Sequence, residues 1–246
     1  MEALTGWPAV LLALAAGLSD LAAGWLAFRA ASRFGGGGSG GVGDPRYLIA
    51  FASGVLLAVV FFDVLPEVDL EAHYGFLALG FFTFYVLEKA MMLHACGEAE
   101  CEAHAIGPVA VVGMALDNVV DGVGIATGFL VDPWLGGLIA LAVVLHEVPQ
   151  GTASALIMRA ARWPRGRIYG TLALAGALYP VGALLAGLIP EGLAEAALAF
   201  VAGDFLYIGA GDLLPEAHRR FNVRVILAVL AGVALVLALK LLLPAH

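Results

Sequence analysis

Asp117, Asn118 and Asp121 interrupt one apolar stretch of this sequence, and His146, Glu147 and Gln150 interrupt the next. A carboxylate near the centre of a bilayer costs roughly 2.5–3.5 kcal/mol on insertion scales, so ionisable groups at that depth usually mark a substrate or ion path. Asp117 and Asp121 are four residues apart and share one helix face, with Asn118 rotated about 100° away. His146 and Gln150 have the same spacing on the following stretch, with Glu147 beside them. Facing one another, these groups could present carboxylate, amide and imidazole donors to one or two divalent ions. Imidazole with carboxylate suits Zn²⁺, Mn²⁺ and Fe²⁺ and leans away from soft ions such as Cu⁺. Interhelical hydrogen bonding is the alternative, and it would account for Asn118 or Gln150 standing alone.

The elements that must position these residues follow from composition. The chain has 246 residues, of which 62% are hydrophobic and 13% charged, with a mean hydropathy of +0.96. Eight windows can each cross a ~30 Å hydrocarbon core at about 1.5 Å per residue: 7–28, 47–66, 74–93, 106–130, 134–158, 168–189, 195–214 and 223–243. Backbone groups in lipid must be satisfied within their own segment, which makes these windows helices. They fill the chain, so residues 1–246 read as a single all-α transmembrane domain. No positive region precedes the first apolar run, which is therefore read as a span and not a cleaved signal. With the N-terminus outside, eleven of the twelve Lys and Arg fall in inner segments and only Lys240 lies outside. That asymmetry sets both termini on the outer face of a multi-pass protein of the cell's inner (plasma) membrane. The outer loops hold Glu67, Asp69, Glu71, Asp132, Glu191 and Glu195, an acidic face that would concentrate cations.

A Gly-rich cytoplasmic linker occupies residues 29–46. Span two ends Asp63-Val64-Leu65-Pro66-Glu67 and span seven ends Asp212-Leu213-Leu214-Pro215-Glu216, on helices that run in opposite directions. An inverted repeat of helices 1–3 and 6–8 around helices 4–5 would leave that trace, and such repeats hold their sites near the midplane.

The Asp117-Asn118-x-x-Asp121-Gly122 and His146-Glu147-x-Pro149-Gln150-Gly151 motifs resemble those of the ZIP (Zrt/Irt-like) divalent metal ion transporters. That family carries H-N-x-x-[DE]-G on its fourth helix and H-[ED]-x-P-[EQH] on its fifth. Leu65-Pro66-Glu67, Leu214-Pro215-Glu216 and Glu88-Lys89 are also similar to the family's pattern, and the likeness runs from about Arg46 onward. The resemblance implies that Asp117, Asn118, Asp121, His146, Glu147 and Gln150 line a mid-membrane metal site. It implies transport of Zn²⁺, and on this ligand set also Mn²⁺, Fe²⁺ or Cd²⁺, towards the cytoplasm by alternating access, with affinity falling as pH drops. The ions are cargo; no catalytic cofactor and no enzymatic chemistry are implied. The expected partners are the lipid bilayer and a second copy of the chain in a homodimer, with no nucleic acid. Three positions depart from the family: Asp117 replaces a His, Gln150 a common Glu, and Tyr179 an acid often found on span six before a Pro.

Further donors lie along the expected path. The inner loop at 94–105 holds His94, Cys96, Cys101 and His104, which could capture an emerging ion or form a solvated acidic turn. Asp63 lies near the outer mouth and Asp212 near the inner one, where either could guide a cation or hydrogen-bond to a neighbouring helix. Glu88 also lies near the inner end, and Glu216 and His218 there could receive the ion or cap the helix. Asp20 and Asp204 also sit inside apolar spans, and the sequence assigns them no role. A passive cation channel and a metal exporter share these features. An intramembrane metalloprotease would need a second His at position 150, where this chain has Gln.

Overall fold

The computed structural model describes residues 2–33, 45–95, 108–219 and 222–242. Among them there is no strand, and eight helices are long and apolar enough to cross a membrane. We number them α1 (Glu2–Arg33), α2 (Pro45–Val59, continued by Val60–Val64 and Leu65–Glu67), α3 (Leu70–Ala95) and α4 (Pro108–Val131). The rest are α5 (Pro133–Ala160), α6 (Arg165–Gly176 and Leu178–Ala186), α7 (Ala194–Leu206, continued by Tyr207–Leu213 and Leu214–Ala217) and α8 (Val223–Leu242). His94, expected in a loop, lies within α3, while Cys96, Cys101 and His104 fall outside the described residues, as does most of the Gly-rich linker.

α2 and α7 depart from α geometry at matching places. Each passes through a π-helical turn, Val60–Val64 and Tyr207–Leu213, immediately before its Leu-Pro-Glu. Proline has no N–H, so Pro66 leaves the carbonyl four residues back, that of Phe62, without its helical donor. The Lys240 ammonium of α8 donates to that carbonyl, and also to Asp63 Oδ1 at 2.9 Å.

The helices pack in pairs: α1 on α5, α2 on α8, α3 on α7 and α4 on α6, with α4 and α5 in contact at the centre. In lipid, apolar contact does not by itself drive association, so small residues that admit close backbone approach set the crossings. A Cβ on Gly54 of α2 would strike the Val229 carbonyl of α8, and one on Gly232 would strike that of Phe51. The α3–α7 crossing has the same reciprocity, Gly80 against Phe200 and Gly203 against Leu77, and so does α4–α6, Gly122 against Tyr179 and Gly182 against Val119. Leu56, Ile125, Ile139 and Phe205 are fully buried between the helices, whereas Leu11, Leu79, Phe82, Leu184 and Leu227 point outward.

At one end of the bundle the acids serve as caps. Asp132 Oδ1 accepts from the backbone N–H groups of Trp134 and Leu135 at the start of α5, and Asp69 Oδ1 from those of Glu71 and Ala72 at the start of α3, satisfying donors that a helix start leaves free. The opposite end carries Arg159, Arg162, Arg165, Arg167 and Arg219.

Candidate metal centre

α4 delivers Asp117 and Asp121 one turn apart, and α5 delivers His146, Glu147 and Gln150 from the facing side. His146 Nδ1 lies 3.1 Å from the Ala142 carbonyl. In the neutral imidazole with its proton on Nδ1, the ring donates there and Nε2 keeps a free lone pair. Nε2 stands 3.0 Å from Glu147 Oε1 and 3.4 Å from Asp121 Oδ2. One ion bound tetrahedrally at about 2.1 Å from each donor holds those donors about 3.4 Å apart. His146, Glu147 and Asp121 are at most 1% exposed. Nε2 and all four carboxylate oxygens lack a hydrogen-bond partner. Buried polar atoms are normally satisfied, and three that converge without hydrogen bonds form a donor set suited to a cation.

Gln150 Nε2 donates to Asp117 Oδ2 at 2.7 Å, tying α5 to α4 and orienting Asp117. Asn118 is buried, with its Nδ2 unpartnered. The structure therefore brings Asp117, Asp121, His146, Glu147 and Gln150 together, with Asn118 on the same turn of α4. It adds α7, from which Asp204 offers a carboxylate oxygen within 4.8 Å of donor atoms of Asp117 and Asp121. The Phe205 ring stands edge-on to His146 at 6.2 Å. Tyr179 of α6, at the position where the resemblance leads one to expect an acid, is fully buried with an unpartnered hydroxyl. Asp20 of α1 packs against Gly151 of α5 with both carboxylate oxygens unpartnered. Asp20 and Asp204 carried one sequence signal, an acid inside an apolar span, with no motif to orient it.

A cavity of about 160 Å³ leads away from this cluster. It runs from Asp117 and Gln150 past Met114, Phe84 and Tyr207 to Glu88 and Asp212, in the half of the bundle towards the arginine-rich end. Glu88 accepts from Lys89 Nζ at 2.7 Å and from the Tyr207 hydroxyl. The remaining path candidates stand apart from this cavity. Asp63 is paired with Lys240, Glu216 with Arg219 at 2.8 Å, and His218 Nδ1 with the Leu214 carbonyl at 2.9 Å.

A family model described as ZIP Zinc transporter matches residues 93–240, more than half of the chain, with α4 to α7 complete and α8 up to Lys240. The chain belongs to the ZIP family. Among its relatives, Zinc transporter ZIP13 of Pongo abelii is 29% identical over 194 residues, which cover 70% of this chain and 58% of the relative. Zinc transporter ZIP13 of Mus musculus is 26% identical over 253 residues, covering 80% and 70%. Zinc transporter YKE4 of Saccharomyces cerevisiae is 23% identical over 209 residues, covering 69% and 60%. The chain thus spans less than two thirds of the length of the Pongo and Saccharomyces relatives. The ZIP match contains both motif helices and α7, so every group in the buried cluster except Asp20 lies within it.

Proposed function

We infer that this chain moves divalent transition-metal ions across a membrane towards the cytoplasm. The observation that carries this reading is the group Asp121, His146 and Glu147, whose donor atoms converge at mid-span with no hydrogen-bond partners. Zinc is the first expected cargo, because imidazole and carboxylate both suit it and the named relatives are zinc transporters. Asp117 in place of a His makes the set richer in oxygen and admits Mn²⁺, Fe²⁺ and Cd²⁺ as well.

Direction rests on charge. The arginine-rich end is cytoplasmic by the bias of Lys and Arg, and the cavity from Asp117 to Glu88 and Asp212 then lies on the cytoplasmic side of the cluster. An ion released from the cluster would meet Glu88 and Asp212 on its way out. Alternating access is the mechanism we favour, with α1–α3 and α6–α8 as inverted repeats. Exchanging α1 with α6, α2 with α7, α3 with α8 and α4 with α5 turns the α1–α5 pair into α6–α4 and the α2–α8 pair into α7–α3, which are the pairs observed. Gly54 and Gly203, which set two of these crossings, each stand nine residues before the Asp of their Asp-x-Leu-Pro-Glu segment.

The test is metal influx into liposomes that contain the purified chain, with Zn²⁺, Cd²⁺, Mn²⁺ and Fe²⁺ offered separately. Influx of at least one ion above empty liposomes, lost in Asp121→Ala of unchanged elution profile, is the expected result. Equal influx in Asp121→Ala would remove the buried group from the transport path.

A further inference from the structure

Asp204 is the one carboxylate that α7 brings into the cluster, and no motif on the motif helices α4 and α5 accounts for it. It is fully buried, and neither of its oxygens has a partner. One of them lies within 4.8 Å of donor oxygens on both Asp117 and Asp121. Three carboxylates so close, two of them fully buried and Asp117 at the inner end of the cavity, repel one another unless a cation or protons sit among them. Packing does not demand an acid at this place. The position in register on α2, eight residues before its Asp-x-Leu-Pro-Glu aspartate, is Val55, which is equally buried and purely apolar. The crossing with α3 fixes the height of Asp204. A Cβ on Gly80 would overlap the Phe200 carbonyl oxygen and stand 3.2 Å from the Asp204 backbone nitrogen, so glycine at this place lets α3 close on α7 beside Asp204.

We propose that Asp204, Asp117 and Asp121 form an oxygen-only cation position beside the one that contains His146, and that it takes a hard divalent ion of the Mn²⁺ class. The inference rests on the transport reading of the cluster, with Asp121 shared between the two positions. Carboxylate oxygens alone suit hard ions, whereas the imidazole of the neighbouring position draws Zn²⁺. The two positions thus differ in chemistry, one nitrogen-bearing and one not. Asp117 Oδ1 has no hydrogen-bond partner, while its Oδ2 is held by Gln150, so Oδ1 is the oxygen free to serve an ion.

The experiment is a Mn²⁺ titration of the purified, metal-free full chain in detergent, with free Mn²⁺ read by electron paramagnetic resonance. Asp204→Asn, which keeps size and shape, should bind one Mn²⁺ fewer per chain or bind it at least about 10-fold more weakly, as expected for loss of a ligand. Asp204→Glu should retain that binding. Wild-type stoichiometry and affinity in Asp204→Asn would overturn the proposal, as would a wild-type chain that carries Zn²⁺ but binds no Mn²⁺. The transport reading survives both of those results and falls only if the influx test fails. Should Asp204→Asn not elute as the wild type does, the wild-type protein decides. Its bound Mn²⁺ should include a population without nitrogen modulation in the electron spin echo, and modulation from imidazole in all of it would overturn the proposal.

Discussion

Asp117 is the residue on which cargo preference should turn. Its Oδ2 is taken by the Gln150 amide, so Oδ1 is the oxygen left for an ion. A His in its place would add a nitrogen donor to a set that has one. Asp117→His should therefore raise the ratio of initial Zn²⁺ to Mn²⁺ uptake several-fold, and an unchanged ratio would count against Asp117 as a ligand. Asp63 is held by a cation of the chain itself. It is buried and paired with the partly exposed Lys240, 177 residues away in sequence. Lys240→Met should cost about 1 kcal/mol by leaving that carboxylate uncompensated, read as a lower thermal midpoint with uptake retained. No spacing rule joins positions 63 and 240, which is why the sequence could set Asp63 near the outer mouth, as a cation guide or an interhelical partner, without naming Lys240. The motif residues were legible because both motifs fall inside apolar runs, where a polar group needs a reason to be. Asp204 was visible as an acid in such a run, but the run is apolar on every side. Periodicity cannot then say which way the acid points.

Helix ends and crossings carry the next level. All eight spans could be read from hydropathy, because a membrane helix needs length and apolarity and little else. The π turns in α2 and α7 could not, although the prolines behind them were in plain view. Proline frees a carbonyl; which geometry the chain adopts to absorb the loss depends on neighbours such as Lys240. The pairing of helices was also hidden, since it depends on which small residues face each other. Gly122 shows what that pairing requires. A Cβ there would overlap the Tyr179 carbonyl, which is backbone and has little room to yield. Gly122→Val should push α6 from α4, destabilise the protein by about 1–3 kcal/mol and impair uptake, because Asp121 is the adjacent residue. Normal uptake and an unchanged thermal midpoint in this variant would show that the close α4–α6 crossing is dispensable.

At the scale of the whole molecule, a buried donor cluster adjoins a cavity that runs from Asp117 and Gln150 towards Glu88 and Asp212. Met114 lines that cavity next to Asp117. In a chain whose Cys96 and Cys101 are replaced by Ser, Met114→Cys should react with a membrane-impermeant thiol reagent from the arginine-rich side, and bound Zn²⁺ should slow the reaction. Faster labelling from the acidic side would reverse the assigned direction. The central claim is that Asp121, His146 and Glu147 hold the ion in transit, and it is tested most directly by the initial rate of Zn²⁺ uptake into sealed proteoliposomes for Glu147→Ala against wild type at equal protein content. The account predicts that the variant folds and its rate falls to that of empty liposomes. Uptake at the wild-type rate would contradict it.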